Sequence, residues 1–194
     1  MIYPAVFTAS VDWVLGQEGV LSDDLADDGG LTRDGHDSAS WCETLGRMPP
    51  NVAANMPRSV ISLTRDQAIA AYYWAYWIFF HCDRLTPAFA LLTFDAAVNG
   101  GHPIAWLQHA VGTIPDGILG PATLHAMQLL TKEDGLAEAI AEFQAWHLAY
   151  LTDLSKWTTF GATNGRPLGW ARRAFTMCLD ALRIEEEFGS LARG

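Results

Sequence analysis

Three things are scarce in this chain of 194 residues, and each scarcity excludes a class of protein. Cysteine occurs three times, as Cys42, Cys82 and Cys178, an odd number far apart with no CxxC pair. That excludes a disulfide framework or a cysteine-based zinc site and makes the three thiols expected buried small hydrophobes. Basic residues are also scarce, 12 Lys and Arg against 22 Asp and Glu, for a formal charge of −10. Phosphate binding relies on Lys and Arg, so nucleic acid is excluded as a partner, and long-range attraction to an anionic polymer is excluded with it. Long apolar runs are missing too. The longest, Ala68 to Phe80, is too short to cross a bilayer and reads as a core helix, so no stable membrane insertion is expected.

Ile2 to Phe7 is apolar but has no basic segment before it, so no cleaved signal peptide is expected and the cytoplasm is the expected place of synthesis. The six histidines show no ligand spacing. Val20 to Gly35 holds five aspartates, but aligning Gly29 with the invariant glycine of a calcium loop puts Ala26 and Gly35 where oxygen ligands are needed. Neither a metal nor another cofactor is expected.

Half of the residues are apolar, enough to bury a proper core within one domain of mainly α class. Phe7, Val11, Val14 and Leu15 recur at helical spacing, which predicts a helix from about Thr8 to Glu18 that stops at Gly19. Val20 to Gly35 predicts an exposed loop or a short irregular β-hairpin. Trp41 to Ile61 gives no clear period beyond a short helix around Ser38 to Leu45. Thr64 and Gln67 form a capping-box pair at the head of a helix running to Phe80. Thr86 caps a helix with Pro87 in its first turn, which ends at Asn99-Gly100-Gly101. Further helices are expected over 103–111, 121–130, 132–154 and 168–189, with a polar loop over 158–167. Most of the eight tryptophans are expected in the core.

The chemistry concentrates at the first loop. A helix ending in Glu18-Gly19, an acidic glycine-rich stretch containing Asp27, and Thr32 close behind would place two carboxylates of different environment around one cleft. Glycoside hydrolysis uses such a pair, one carboxyl protonated to donate and the other ionised. At a helix C-terminus the partial negative dipole disfavours a carboxylate, so the pKa of Glu18 is expected to rise, which suits an acid. Each residue has a plainer reading. Glu18 can be a surface helix end, Asp27 a turn former with Asp23, Asp24 and Asp28 as rivals, Thr32 a packing residue, and Asn99 a helix terminus before Gly100.

Together with this loop, Leu63 to Ala68 with Tyr73-Trp74, Phe94 to Gly101, Trp106 to Gly112 with Asp116 to Leu124, and Gly169 to Arg173 resemble, in order, the glycoside hydrolase family 108 muramidases, the endolysin and secretion-activator group. Glu18-Gly19 to Gly30-Leu31-Thr32 is similar to the family's EGGxxxDxxDxGGxTxxG. Leu63-Thr64-Arg65-Asp66-Gln67-Ala68 with Tyr73-Trp74 resembles LTxxxA…YW, and Phe94 to Gly101 resembles fDxAvNxG. Trp106 to Gly112 with Asp116 to Leu124 is similar to LQxalGv…DGxxGpxT, and Gly169 to Arg173 resembles the closing GWxxR. The chain departs at Val20, where the family has glycine, at Asp28, where proline is usual, and at Arg33-Asp34-Gly35-His36, which replaces NYGI.

The resemblance implies a lysozyme-like helical catalytic part over 1–111 and a C-terminal helical part over 112–194 resembling a peptidoglycan-binding region, packed as one unit. It implies an N-acetylmuramidase cutting the β-1,4 bond between N-acetylmuramic acid and N-acetylglucosamine, with Glu18 as catalytic glutamate and Asp27 and Thr32 at the second acid and its neighbour. Tyr73, Trp77 and Asn99 are the candidate saccharide contacts, since an acidic enzyme must hold its glycan by aromatic faces and short hydrogen bonds. A phage or prophage endolysin, released through a holin to act in the periplasm, is the expected setting. The alternative is a non-catalytic peptidoglycan-binding or secretion-assisting protein on the same scaffold.

Overall fold

A computed structural model of the chain describes residues 2–18, 21–22, 32–33, 36–37, 40–130, 135–154 and 169–189. The mainly α class holds, and the chain divides into two compact units, 1–80 and 81–194.

In the first unit, helix α1 spans Ala5–Glu18. It starts earlier than the apolar spacing suggested, because the Pro4 carbonyl accepts the Thr8 N–H at 3.0 Å and brings the turn before Thr8 into the helix. Phe7, Val11 and Val14 are buried along one face, and the Ser10 hydroxyl is satisfied by the Val6 carbonyl at 2.8 Å. Three two-residue strands follow, β1 (Leu21–Ser22), β2 (Thr32–Arg33) and β3 (His36–Asp37), paired antiparallel in the order β1-β2-β3.

The aperiodic stretch after Ser40 contains helix α2 (Trp41–Arg47), the single turn α3 (Pro50–Ala53) and a 3₁₀ turn at Val60–Ser62. These elements are too short to show a period, and side-chain bonds hold them in place. The Trp41 indole donates to the Pro57 carbonyl at 2.9 Å, and the Thr44 and Tyr76 hydroxyls meet at 3.2 Å. Arg47 lies about 5.5 Å over the rings of Tyr76, Phe79 and Phe80. Cys82 is a buried thiol, whereas Cys42 is exposed and Cys178 only half-buried, which corrects the expectation for Cys42 and in part for Cys178.

Helix α4 (Arg65–Tyr72) opens on a complete capping box, with the Gln67 N–H donating to the Thr64 hydroxyl at 3.2 Å and the Thr64 N–H to the Gln67 side-chain oxygen at 3.0 Å. It does not run on as an α-helix. From Tyr73 to Ile78 it widens into a π-helix.

The second unit is built around helix α5 (Pro87–Val98), buried at every position from Pro87 to Ala97. A helix that is apolar on all sides belongs in the middle of a bundle. Helices α6 (Pro103–Ala110), α8 (Leu136–Asp153) and α9 (Gly169–Phe188) pack around it, and α7 (Pro121–Leu130) follows α6 in the chain. Helix α8 starts at Leu136 rather than Lys132, because Gly135 takes the N-cap position. The polar loop expected over 158–167 lies outside the described residues.

Two contacts tie α9 to α5. The Thr86 side chain makes no cap bond; the carboxylate of Glu185, buried on α9, accepts the Ala88 N–H at 3.0 Å instead. A carboxylate suits the positive end of the α5 dipole. The second contact is ionic. Asp95 on α5, 1% exposed, accepts two bonds from the Arg173 guanidinium, at 2.5 Å from its terminal nitrogen and 3.2 Å from Nε.

Helix α8 buries His147 in the same unit. Its ring stacks on Trp106 at 5.2 Å, and its Nδ1 meets the Gln144 side-chain oxygen at 3.2 Å. Burial lowers the His147 pKa below the ordinary value, with Asp95 opposing and Arg173 adding to the shift.

Two outcomes are expected from these buried groups. Arg173→Met strands the Asp95 carboxylate in the interior and costs about 3–5 kcal/mol in urea unfolding, whereas Asp95→Asn combined with Arg173→Met costs less. A double variant no more stable than the single would contradict a stranded charge. For His147 the folded pKa lies below the unfolded value of about 6.5, so the unfolded chain takes up the proton first as pH falls. Its contribution is complete above about pH 6.5 and is lost below it. The urea midpoint of the wild type is therefore expected to drop more steeply than that of His147→Gln between about pH 7 and pH 5.

Candidate functional site

Glu18 is the last residue of α1, so its backbone sits where the helix dipole is most negative. Three residues later the chain enters β1, and the register pairs Leu21 with Arg33 and Ser22 with Thr32. Thr32 pairs in turn with Asp37 on β3. The short sheet therefore returns Thr32 to the strand that follows the helix end, although Glu18 and Thr32 are fourteen positions apart in sequence. Asp27, with its rivals Asp23, Asp24 and Asp28, lies between β1 and β2, outside the described residues. Ala26 and Gly35, the two positions at which a calcium loop fails, are also outside the described residues. Among the described residues no group of three or more His, Cys, Asp or Glu side chains is placed to hold a metal ion.

Tyr73 and Trp77 both lie on the π-helix and touch the same ring from α1. Phe7 meets Tyr73 at 5.0 Å and Trp77 at 5.4 Å, each nearly edge to face. The two candidates differ in access. Trp77 is 2% exposed and belongs to the core of the first unit, while Tyr73 is half-buried and keeps part of its ring at the surface, with Tyr3 at 5.0 Å and Trp74 at 5.2 Å beside it. Beyond its place in the YW resemblance the sequence gives Trp74 no role, and its buried indole N–H has no hydrogen-bond partner among the described residues. The π-helix is the physical signal, since such widened turns recur at functional sites.

Asn99 lies in the second unit at the C-terminal end of α5. Its amide donates to the Asp95 carbonyl at 2.7 Å and to the Asp95 carboxylate at 3.3 Å. Gly100 follows with a φ of 80°, and the Gly100 and Gly101 N–H groups close the helix on the carbonyls of Ala97 and Ala96. A Cβ on Gly101 would stand 2.2 Å from the Trp106 ring, so glycine is required there.

The remaining motifs come together within this unit. Gln108, 2% exposed, donates to the Asp116 carboxylate at 2.6 Å and the Ile118 carbonyl at 3.0 Å, and accepts the Gly117 N–H at 2.8 Å. Hydrogen bonds from Gln108 and the Ile118 N–H hold the Asp116 pKa below its ordinary value. One buried amide thus fixes the turn at Asp116-Gly117, and the loop presents Ile114 and Ile118 to solvent. Asp95, from the Phe94–Gly101 motif, meets Arg173, from the closing one.

Residues 11–101 match the family model described as glycosyl hydrolase 108, and residues 102–175 match the model described as predicted peptidoglycan domain. The fold is similar to the solved structure of SagA from Brucella abortus, at 28% sequence identity and a TM-score of 0.72, over 92% of this chain and 94% of that one. No curated protein matches the chain. The two models run consecutively from residue 11 to residue 175, so the chain carries a glycosyl hydrolase 108 domain followed by a predicted peptidoglycan domain.

Proposed function

We propose that this glycosyl hydrolase acts on peptidoglycan as an N-acetylmuramidase, cutting the β-1,4 bond between N-acetylmuramic acid and N-acetylglucosamine. The observation that carries the reading is the end of α1 at Glu18 within the stretch matched by the hydrolase model, with β2 bringing Thr32 back beside the strand that follows.

Glu18 donates its proton to the glycosidic oxygen as the bond to the anomeric carbon breaks, and the leaving sugar departs as the alcohol. Asp27 stays ionised and offsets the positive charge that develops on the ring. Water, held by the Thr32 hydroxyl, adds its oxygen to the anomeric carbon, and the proton it loses restores the Glu18 carboxyl. The exposed part of Tyr73 offers an apolar face to a pyranose ring, with Phe7 against it from behind and Trp77 against Phe7. Trp77 then contributes through Phe7 rather than by touching the glycan, and Asn99 contributes by closing α5. A phage or prophage endolysin that reaches the wall through a holin is the biological form of this proposal.

Glu18→Gln removes the proton while keeping the shape, so lysis of outer-membrane-stripped cells is expected to fall by ~10²–10⁴-fold with an unchanged far-UV spectrum and melting temperature. Equal lysis by the variant would remove Glu18 from the role. Full loss of lysis in the wild type itself, with retained binding to sacculi, would favour a wall-binding protein on this scaffold.

The loop acids separate by the same assay. Asp27→Asn is expected to cripple lysis far more than Asp23→Asn or Asp24→Asn, and a larger loss at either rival would move the second carboxylate there.

A further inference from the structure

The described residues of α9 carry two faces. Ala174, Met177, Ala181 and Ile184 are buried against the second unit, as an amphipathic helix requires. A separate stripe is left in solvent: Phe175 is 68% exposed, Leu179 57% and Leu182 38%. With the exposed Arg172 and Glu186 these residues recur at intervals of three and four, so all five fall on one narrow side of the helix. Three large apolar side chains aligned at solvent differ from scattered exposed hydrophobics, which need no partner.

The stripe is close to palindromic in its chemistry. Leu179 stands at the centre, Phe175 and Leu182 flank it, and Arg172 and Glu186 lie seven residues to either side, about 10.5 Å away at the rise of a helix. We infer that α9 is a self-association surface, on which a second copy of this chain docks its own α9 antiparallel about a two-fold axis beside Leu179.

Antiparallel docking sets Phe175 of each copy against Leu182 of the other, and Leu179 near its own mate. It also brings Arg172 of each copy to Glu186 of the other, making two symmetry-related ion pairs. A parallel arrangement would oppose arginine to arginine and glutamate to glutamate, so charge selects the direction. A two-fold contact needs one patch complementary to itself, and the alternation of cation, apolar centre and anion meets that condition. Arg183 is engaged with Asp180 at 2.7 Å on its own helix and stays at the rim. The stripe is only about 21 Å long between Arg172 and Glu186, short of a standard interface, so the dimer is weak and dissociates on dilution.

Sedimentation velocity on the full chain tests this directly, with far-UV circular dichroism and thermal melting to confirm folding of each variant. The wild type is expected to pass from monomer to dimer with a dissociation constant on the order of 10–100 μM. Leu179→Lys puts two ammonium groups at the two-fold axis and is expected to weaken the dimer more than about tenfold.

Charge reversal gives the sharper result. Arg172→Glu alone and Glu186→Arg alone each oppose like charges and are expected to weaken association about threefold to tenfold, while the two together restore it. A wild type that stays monomeric to about 1 mM would overturn the proposal. So would a dimer indifferent to Leu179→Lys, or a double reversal no better than either single one. Monomer that instead sediments with phosphatidylglycerol vesicles, and loses this with Leu179→Lys, would overturn it in favour of a membrane surface. None of these readouts depends on lytic activity, so the association and the muramidase reading fail separately.

Discussion

The second unit hangs on one buried ion pair. Asp95 lies in the last turn of a helix with no solvent-facing side, and an isolated carboxylate there would be far too costly to bury. Arg173, 78 positions away in sequence, supplies both the charge and two hydrogen bonds to one oxygen. The pair fixes where along α5 helix α9 can sit. Once α9 is there, Glu185 reaches the N-terminus of α5, replacing the cap that Thr86 does not provide. The bond from Asn99 to the same carboxylate extends the arrangement to the Gly100-Gly101 turn, where Trp106 lies against the glycine. Polar groups buried this way are restrictive: few arrangements satisfy all of them, which selects one packing of an otherwise slippery apolar bundle.

What the sequence disclosed follows from how local each signal is. The capping box at Thr64 and Gln67 needs only three intervening positions, and it is present with both bonds. Pro87 and Pro121 open helices where proline costs nothing, and Gly100 ends one. Signals that depend on distant partners were not legible. Thr86 looked like a cap because nothing nearby in sequence announced Glu185. The π-helix at Tyr73–Ile78, where Tyr73 and Trp77 meet Phe7 and the Tyr76 hydroxyl meets Thr44, has no local marker in the sequence, which shows one helix to Phe80. The two-residue strands are too short for any alternation to register, though the loop's glycine and aspartate content pointed to a hairpin there.

The backbone that carries the site candidates was legible in part: α1 runs to Glu18, and Thr32 lies in a strand of the short sheet. The aromatic contacts were less legible, because spacing alone equates Tyr73 with Trp77, whereas burial separates them. The motifs over 94–124 and 169–173 first read as a list of segments in order. Their common basis is physical: each supplies a partner to another, Asp95 to Arg173 and Gln108 to the Asp116-Gly117 turn.

The most direct test of the account is the identity of the sugar end that the enzyme creates. Purified sacculi digested to completion, reduced with borohydride and resolved by mass spectrometry are expected to give fragments ending in reduced N-acetylmuramic acid, in amounts that Glu18→Gln does not produce. Fragments ending in reduced N-acetylglucosamine, or stem peptides released with the glycan intact, would contradict it.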